Sequence, residues 1–301
     1  MYKQCQKEGA IEAAASLHNF SQHLASVDVS LPELGGSSVA GGCSCCVDGL
    51  PKAGGAKPMS YLECWQKKGI QRNELTEFIT ENEKLLEKSG LVQKLDCDAL
   101  NASDTTSEHK WKDFLKNKQC TVYRKQLPSG IYEYRVHASF NDVSARQLLR
   151  TNTDVNYRKT WDGYILDLKI VDADPASGNE LIHWVTRCPY PFATREYIYL
   201  RRHIVDDVSK TMVLLQKATQ DTNIPTDASI MRVDTYVSRA IIKPHTDDFD
   251  ELGCDYMLSY YDDPKMSLPT RMMDLAASRG IQDSTKRMHQ ATLGLKNYDG
   301  L

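Results

Sequence analysis

Apolar and polar positions follow two different rhythms on either side of residue 110. Downstream, short runs alternate as strands do. The runs at 120–127 and 131–140 flank Pro128-Ser129-Gly130, which predicts a hairpin with a three-residue loop. Alternation then puts Tyr132, Tyr134, Val136 and Ala138 on one face of its second strand. Ser144 followed by Gln147 has the form of a capping box and predicts a helix over 144–150. A second short helix is predicted over 156–163, closed by Gly163. Strand-like runs follow at 165–172, 180–188, 196–205, 211–219, 231–243 and 254–261. Their connectors are short and rich in Asp, Gly, Ser or Pro, which favours an antiparallel meander. After Pro264 and Pro269, Leu268, Met272, Leu275, Ala276, Ile281, Met288, Ala291 and Leu295 fall on one side of a long helix ending near 297. Gly280 lies mid-helix, costs about 1 kcal/mol relative to Ala, and marks a candidate bend. Trp111, Phe114 and Leu115 have the spacing of a short helix packing by one face.

Upstream the pattern weakens. Residues 1–30 read as a weak helix, and 31–58 hold seven glycines and three prolines, too little apolar surface to offset the entropy of ordering. Residues 1–58 are therefore expected to be disordered or weakly helical. A helix is expected over 59–92, with Ser60 as cap, Glu63 completing a capping box, and Gly90 at its end. Leu75, Phe78, Ile79, Leu85 and Leu86 give it an apolar stripe that needs a partner, either its own domain or another chain. Residues 93–108 read as a polar linker, and 109–298 as the main domain. That domain is α+β: an antiparallel sheet this long must curl, and the final helix is its natural cover. Between sheet and helix lies a ligand cavity.

Composition sharpens this division. Of 15 tyrosines, 13 follow residue 110, whereas 10 of 17 glycines precede it, so function belongs to the second part. With 37 basic against 40 acidic residues the net charge is −3, which argues against a nucleic-acid binder. A mean hydropathy of −0.49 and no apolar run of about 20 residues exclude a membrane-spanning helix. The first 20 residues have neither the apolar core of a secretory signal nor an Arg-rich presequence, which points to the cytoplasm. Of nine cysteines only Cys43, Cys45 and Cys46 cluster, and no second pair or His-x3–5-His follows, so no zinc site is expected. Reduced thiols in a loose segment, or palmitoylation, are the readings left.

The run Tyr157-Arg158-Lys159-Thr160-Trp161-Asp162 carries a resemblance to a known family. So do His183-Trp184-Val185-Thr186, Pro189-Tyr190-Pro191-Phe192, Arg195 to Arg201, Met231-Arg232-Val233 with Tyr236, and Met288 to Thr292. In this order, over about 111–297, the chain resembles the START lipid-transfer family, and within it the phosphatidylcholine-transfer group. The resemblance implies a helix-grip fold around one lipid, transport rather than catalysis, no cofactor beyond that lipid, and an association with mitochondria as well as cytosol. It implies that Arg158 binds the lipid phosphate with Asp162 as its counter-ion, and that Trp184, Tyr197 and Tyr236 form a box around the choline.

The chemistry suits those residues. A quaternary ammonium has no N–H to donate, and aromatic faces attract it through their quadrupoles, at about 2 kcal/mol or more when desolvated. A buried phosphate needs a cation, and a guanidinium fork fits two oxygens. Two positions depart from the group: Ser238 stands where a phosphatidylcholine carrier has Gln, and Thr186 where it has Val. They bear on contacts beyond the headgroup. The final helix, 268–297, is expected to meet a membrane surface, with Leu275 and the methionines entering it and Arg271, Arg279, Lys286 and Arg287 at the headgroups. A sterol or ceramide carrier of the same fold is the nearest alternative, although sterols offer no cation. A lipid sensor is another. An enzyme using Cys188, His183, His203 or His245 lacks any recognisable nucleophile context.

Overall fold

Ten strands lie in one curled sheet in the computed structural model, which describes residues 65, 67–86, 97–103, 109–188, 193–220, 224–225, 227, 229–263, 265 and 269–297. In chain order, helices α1 (Arg72–Leu86) and α2 (Cys97–Ser103) precede strands β1 (Lys112–Lys116), β2 (Thr121–Gln126) and β3 (Tyr132–Ser144). Helices α3 (Ala145–Thr153) and α4 (Val155–Trp161) lead to β4 (Ile165–Asp174), β5 (Asn179–Thr186), β6 (Arg195–Asp206) and β7 (Thr211–Ala218). Then come β8 (Met231–Val233), β9 (Tyr236–Pro244), β10 (Leu252–Asp262), α5 (Thr270–Gly294) and a closing turn of 3-10 helix (Leu295–Asn297). The sheet order is β1-β2-β3-β10-β9-β7-β6-β5-β4 with antiparallel neighbours, and β8 pairs parallel to β6. The two helices after β3 thus carry the chain to the far edge of the sheet, and β9 and β10 join the two halves.

The α+β class, the hairpin, the two short helices and the long final helix follow the sequence pattern. Ser144 and Gln147 form both bonds of the capping box that opens α3. Four expectations are corrected. The run 111–115 is not a helix: residues 112–116 are a strand paired with β2. Residues 97–103 are not linker but helix α2, whose Leu100 is buried with Trp111 and Tyr123. The 231–243 run is two strands, parted at Asp234-Thr235, where the Thr235 carbonyl accepts from Asp263 N at 2.9 Å. The 59–92 helix is interrupted at 69–71 before α1 begins. At that break a Cβ on Gly69 would lie 2.5 Å from the Trp65 carbonyl, and Asn179 bonds both the Ile70 amide (2.8 Å) and carbonyl (3.1 Å). Ser60, Glu63, Gly90, the Pro189–Phe192 run and the Cys43, Cys45, Cys46 cluster lie outside the described residues.

The two faces of the sheet do different work. One is covered by α1: Leu75 and Phe78 bury against Leu200, Val213, Leu215, Ile241 and Met257. Of the two partners that stripe left open, its own domain and another chain, Leu75 and Phe78 meet the domain's own sheet. The other face looks toward α5, whose Met288 packs among Val136, Phe140, Met212 and Tyr256. The buried residues of α5 are Thr285, Met288, Ala291 and Thr292, all in its second half. Its first half is tied at the side-chain level by Arg124 to Asp274 and by Asn117 to Gln282 at 3.1 Å.

Candidate functional site

Asp154 fixes helix α4. Its amide caps the end of α3 on the Arg150 carbonyl, and its carboxylate accepts from the Asn156 and Tyr157 amides at 3.0 and 2.9 Å. Tyr157 is buried against Ala291 and Leu295 and donates its hydroxyl to the Ala291 carbonyl, which ties α4 to α5. One residue on, Arg158 turns to the α5 face of the sheet. Its guanidinium lies 3.5 Å from Asp162 and 4.8 Å from the ring centre of Trp184. Burial opposes the Arg158 charge, but the oxygens of Tyr199, Asp162 and Tyr236 more than offset it, and the pKa lies above its ordinary value. Asp162 has a second cation, Arg287 of α5, at 3.7 Å. One carboxylate therefore joins the interior arginine to the covering helix.

Strand register assembles the aromatic residues. Trp184 of β5 sits opposite Tyr197 of β6, and their rings stack with centroids 4.7 Å apart. Tyr197 meets Tyr236 of β9 edge to face at 5.4 Å, although β7 lies between those strands in the sheet order. β7 ends at Ala218, opposite Tyr199, and this small side chain packs in the same cluster. Tyr199 and Tyr236 lean together beside it to 5.2 Å. Tyr260 of β10 extends the group, 6.1 Å from Tyr236. Trp184, Tyr197 and Tyr236 are thus brought together with Arg158 as expected, but as a packed ladder with Arg158 over Trp184.

The polar atoms of this cluster fall into two kinds. Tyr197 donates to Asp262 at 2.8 Å, and Tyr236 donates to Gln216 Oε1. Burial above all holds both phenols protonated, with pKa values raised. By contrast the Tyr199 hydroxyl and Trp184 Nε1 are buried with no hydrogen-bond partner. Such atoms cost stability unless a ligand supplies what they lack. Ser238 lies opposite Gln216 and hydrogen-bonds the Tyr236 oxygen. The amide expected at 238 is therefore found one strand away, at Gln216. Thr186 donates to the Tyr164 carbonyl at 3.2 Å, so its hydroxyl joins β5 to the start of β4 rather than facing the aromatics. Gln216, Ala218, Tyr260 and Asp262 went unrecognised in the sequence, whereas Tyr199 shares the strand face of Tyr197 by simple alternation. The signal available was the alternation in 254–262, which puts Tyr256, Leu258, Tyr260 and Asp262 on one face.

Residues 93–297 match the START domain family. The chain belongs to the START family. Among its relatives, StAR-related lipid transfer protein 7, mitochondrial, of Mus musculus is 33% identical over 252 residues, covering 80% of this chain and 67% of that protein. Phosphatidylcholine transfer protein of Bos taurus is 26% identical over 189 residues, 62% of this chain and 85% of that one. The crystal structure of human STARD10 superposes with a TM-score of 0.54 at 18% identity, covering 66% of this chain and 80% of that one, a likeness of fold. The START chain thus spans about two thirds of the StAR-related relatives it matches. Among its described residues no helix is long and apolar enough to cross a membrane, and no cluster of side chains is suited to a metal.

Proposed function

We propose that this START protein is a carrier, not an enzyme, that holds one phosphatidylcholine between sheet and α5 and moves it between membranes. The observation that carries the reading is the pairing of the Arg158–Asp162 ion pair, 18% and 12% exposed, with the Trp184–Tyr197–Tyr236 ladder on one face of the sheet. A guanidinium and aromatic faces, side by side, match a phosphate joined to a quaternary ammonium. The phosphate draws Arg158 off the Trp184 ring, and the ammonium takes its place. The unpartnered Tyr199 and Trp184 donors then find lipid oxygens. Acyl chains need only apolar surroundings, at about 0.8 kcal/mol per buried methylene.

Transfer requires α5 to meet the bilayer. Met272 and Leu275 are 42% and 41% exposed on its loosely held first half, and Arg271 and Arg279 flank them. This is the surface through which the lipid enters and leaves. The mitochondrial name of the relatives makes that organelle's membranes one destination, reached from the cytoplasm. The test is extraction of phosphatidylcholine from liposomes, with mass spectrometry of the lipid that co-purifies. Arg158→Gln abolishes extraction while the protein stays folded, because Asp162 keeps Arg287. A co-purifying sterol or ceramide, or unchanged extraction by the variant, refutes the reading.

A further inference from the structure

Four interior carboxylates of the sheet and α4 have a cation at hand: Asp162 has Arg158, Glu180 has Arg201 at 2.7 Å, Glu196 has Arg232 at 2.8 Å, and Glu133 has Arg239 at 3.3 Å. Asp262 does not. Among the described residues it makes no ion pair, and it accepts only phenol hydroxyls, from Tyr197 at 2.8 Å and from Tyr260. It stands at the end of β10, opposite Tyr236 in register, where the three tyrosine rings converge. Burial, acting against its charge, moves its carboxyl pKa upward. Arg195 acts on this carboxylate only from beyond ion-pair distance, so an anion with no cation in contact stands beside three aromatic faces, a site built for a cation.

We propose that Asp262 is a specificity-determining residue of the headgroup site, selecting lipids whose phosphate bears a cationic quaternary ammonium. The proposal rests on the phosphatidylcholine reading and adds a charge to it. Two effects work together. The carboxylate attracts the ammonium through a medium of low dielectric constant. Its hydrogen bond from Tyr197 also pushes electron density into that ring, which strengthens the face offered to the cation. The Arg158–Asp162 pair recognises phosphate in any phospholipid, so discrimination at the far end of the headgroup falls to this corner.

The test compares uptake of phosphatidylcholine and phosphatidylglycerol from vesicles of each, because the two share the phosphodiester and differ in the terminal charge. Asp262→Asn keeps an oxygen that accepts from Tyr197 and removes the charge. Its choline-to-glycerol preference should fall about tenfold or more, with the melting temperature unchanged. A preference equal to wild type overturns the proposal. An equal loss of both lipids overturns it too, since that marks a structural role. Should Asp262→Asn fail to fold, Tyr197→Phe keeps the ring but cannot donate to the carboxylate, and the same narrowing is expected; an unchanged ratio there overturns the proposal. Wild-type protein that takes up no phosphatidylcholine refutes the carrier reading itself, a separate result.

Discussion

Ala218 is a small residue in a place where size decides the geometry of the site. Tyr199 and Tyr236 stand on strands that flank β7, and two strand spacings amount to about 10 Å. Their ring centres are nevertheless 5.2 Å apart, because the methyl of Ala218 leaves room for them to lean together. Ala218→Leu puts three more carbons into that space. Overpacking of this kind costs about 1–3 kcal/mol. Displacement of Tyr236 also takes its hydroxyl from Gln216, worth about 1 kcal/mol more. A net loss of about 3 kcal/mol in a domain of this size lowers the melting temperature by about 6–12 °C. Uptake of phosphatidylcholine should fall by more than about tenfold, since Tyr236 no longer meets Tyr197. Thermal melts followed by circular dichroism and uptake of a fluorescent phosphatidylcholine measure both effects. Ala218→Ser, which fits the space, serves as the control. A Leu variant with wild-type melting and wild-type uptake would refute the spacer argument.

Two further outcomes are expected. A Cβ on Gly280 would meet nothing within 4 Å, so Gly280→Ala should stabilise α5 by about 0.5–1 kcal/mol in denaturant titrations. If the helix bends there during exchange, the same variant transfers lipid between vesicles more slowly; unchanged transfer by a stabilised protein removes the bend from the mechanism. His137 is 1% exposed, and burial, aided by Arg135, pushes its imidazole from 6.5 down to about 3. Between those values the unfolded chain binds a proton that the folded chain refuses. Stability is therefore lost as pH falls from 6.5 toward 3, by about 1.4 kcal/mol per unit. Urea melts at pH 7, 6, 5 and 4 should show that slope flattened in His137→Phe, and equal slopes would count against it.

Local chemistry was the most readable part of the sequence. Ser144 and Gln147 announced α3 because a capping box closes its own hydrogen bonds within four residues. The segment 111–115 misled for a definite reason. Trp111, Phe114 and Leu115 are spaced as on a helix, but the spacing arises from a bulge between Asp113 and Leu115 that shifts the strand's alternation. Helix α2 has only seven residues, and its Leu100 is held by Trp111 and Tyr123, contacts that no local pattern encodes. In the site, Arg158 and Asp162 are one turn apart, a spacing that alone reads as an ordinary surface pair, and the resemblance to the family is what singled them out. Gln216, Ala218 and Asp262 were not legible, since each matters through a residue on another strand: Tyr236, Tyr199 and Tyr197. The Gln216–Ser238 pair shows the point well. Side chains that face each other across a ladder can exchange duties, which a reading along one strand takes for a loss.

The burial along α5 has a mechanical consequence. All its buried residues lie between Thr285 and Thr292, so the 25-residue helix is rooted at one end. The 15 residues from Thr270 to Ser284 form a cantilever about 22 Å long on that root. Swinging it breaks the Arg124–Asp274 and Asn117–Gln282 ties and lifts Ile281 from the core it packs against. Such an opening would be a sub-global event, of the kind that costs less than unfolding a whole domain. On the carrier reading, the interior would be exposed repeatedly while the sheet, α4 and the root of α5 keep their places.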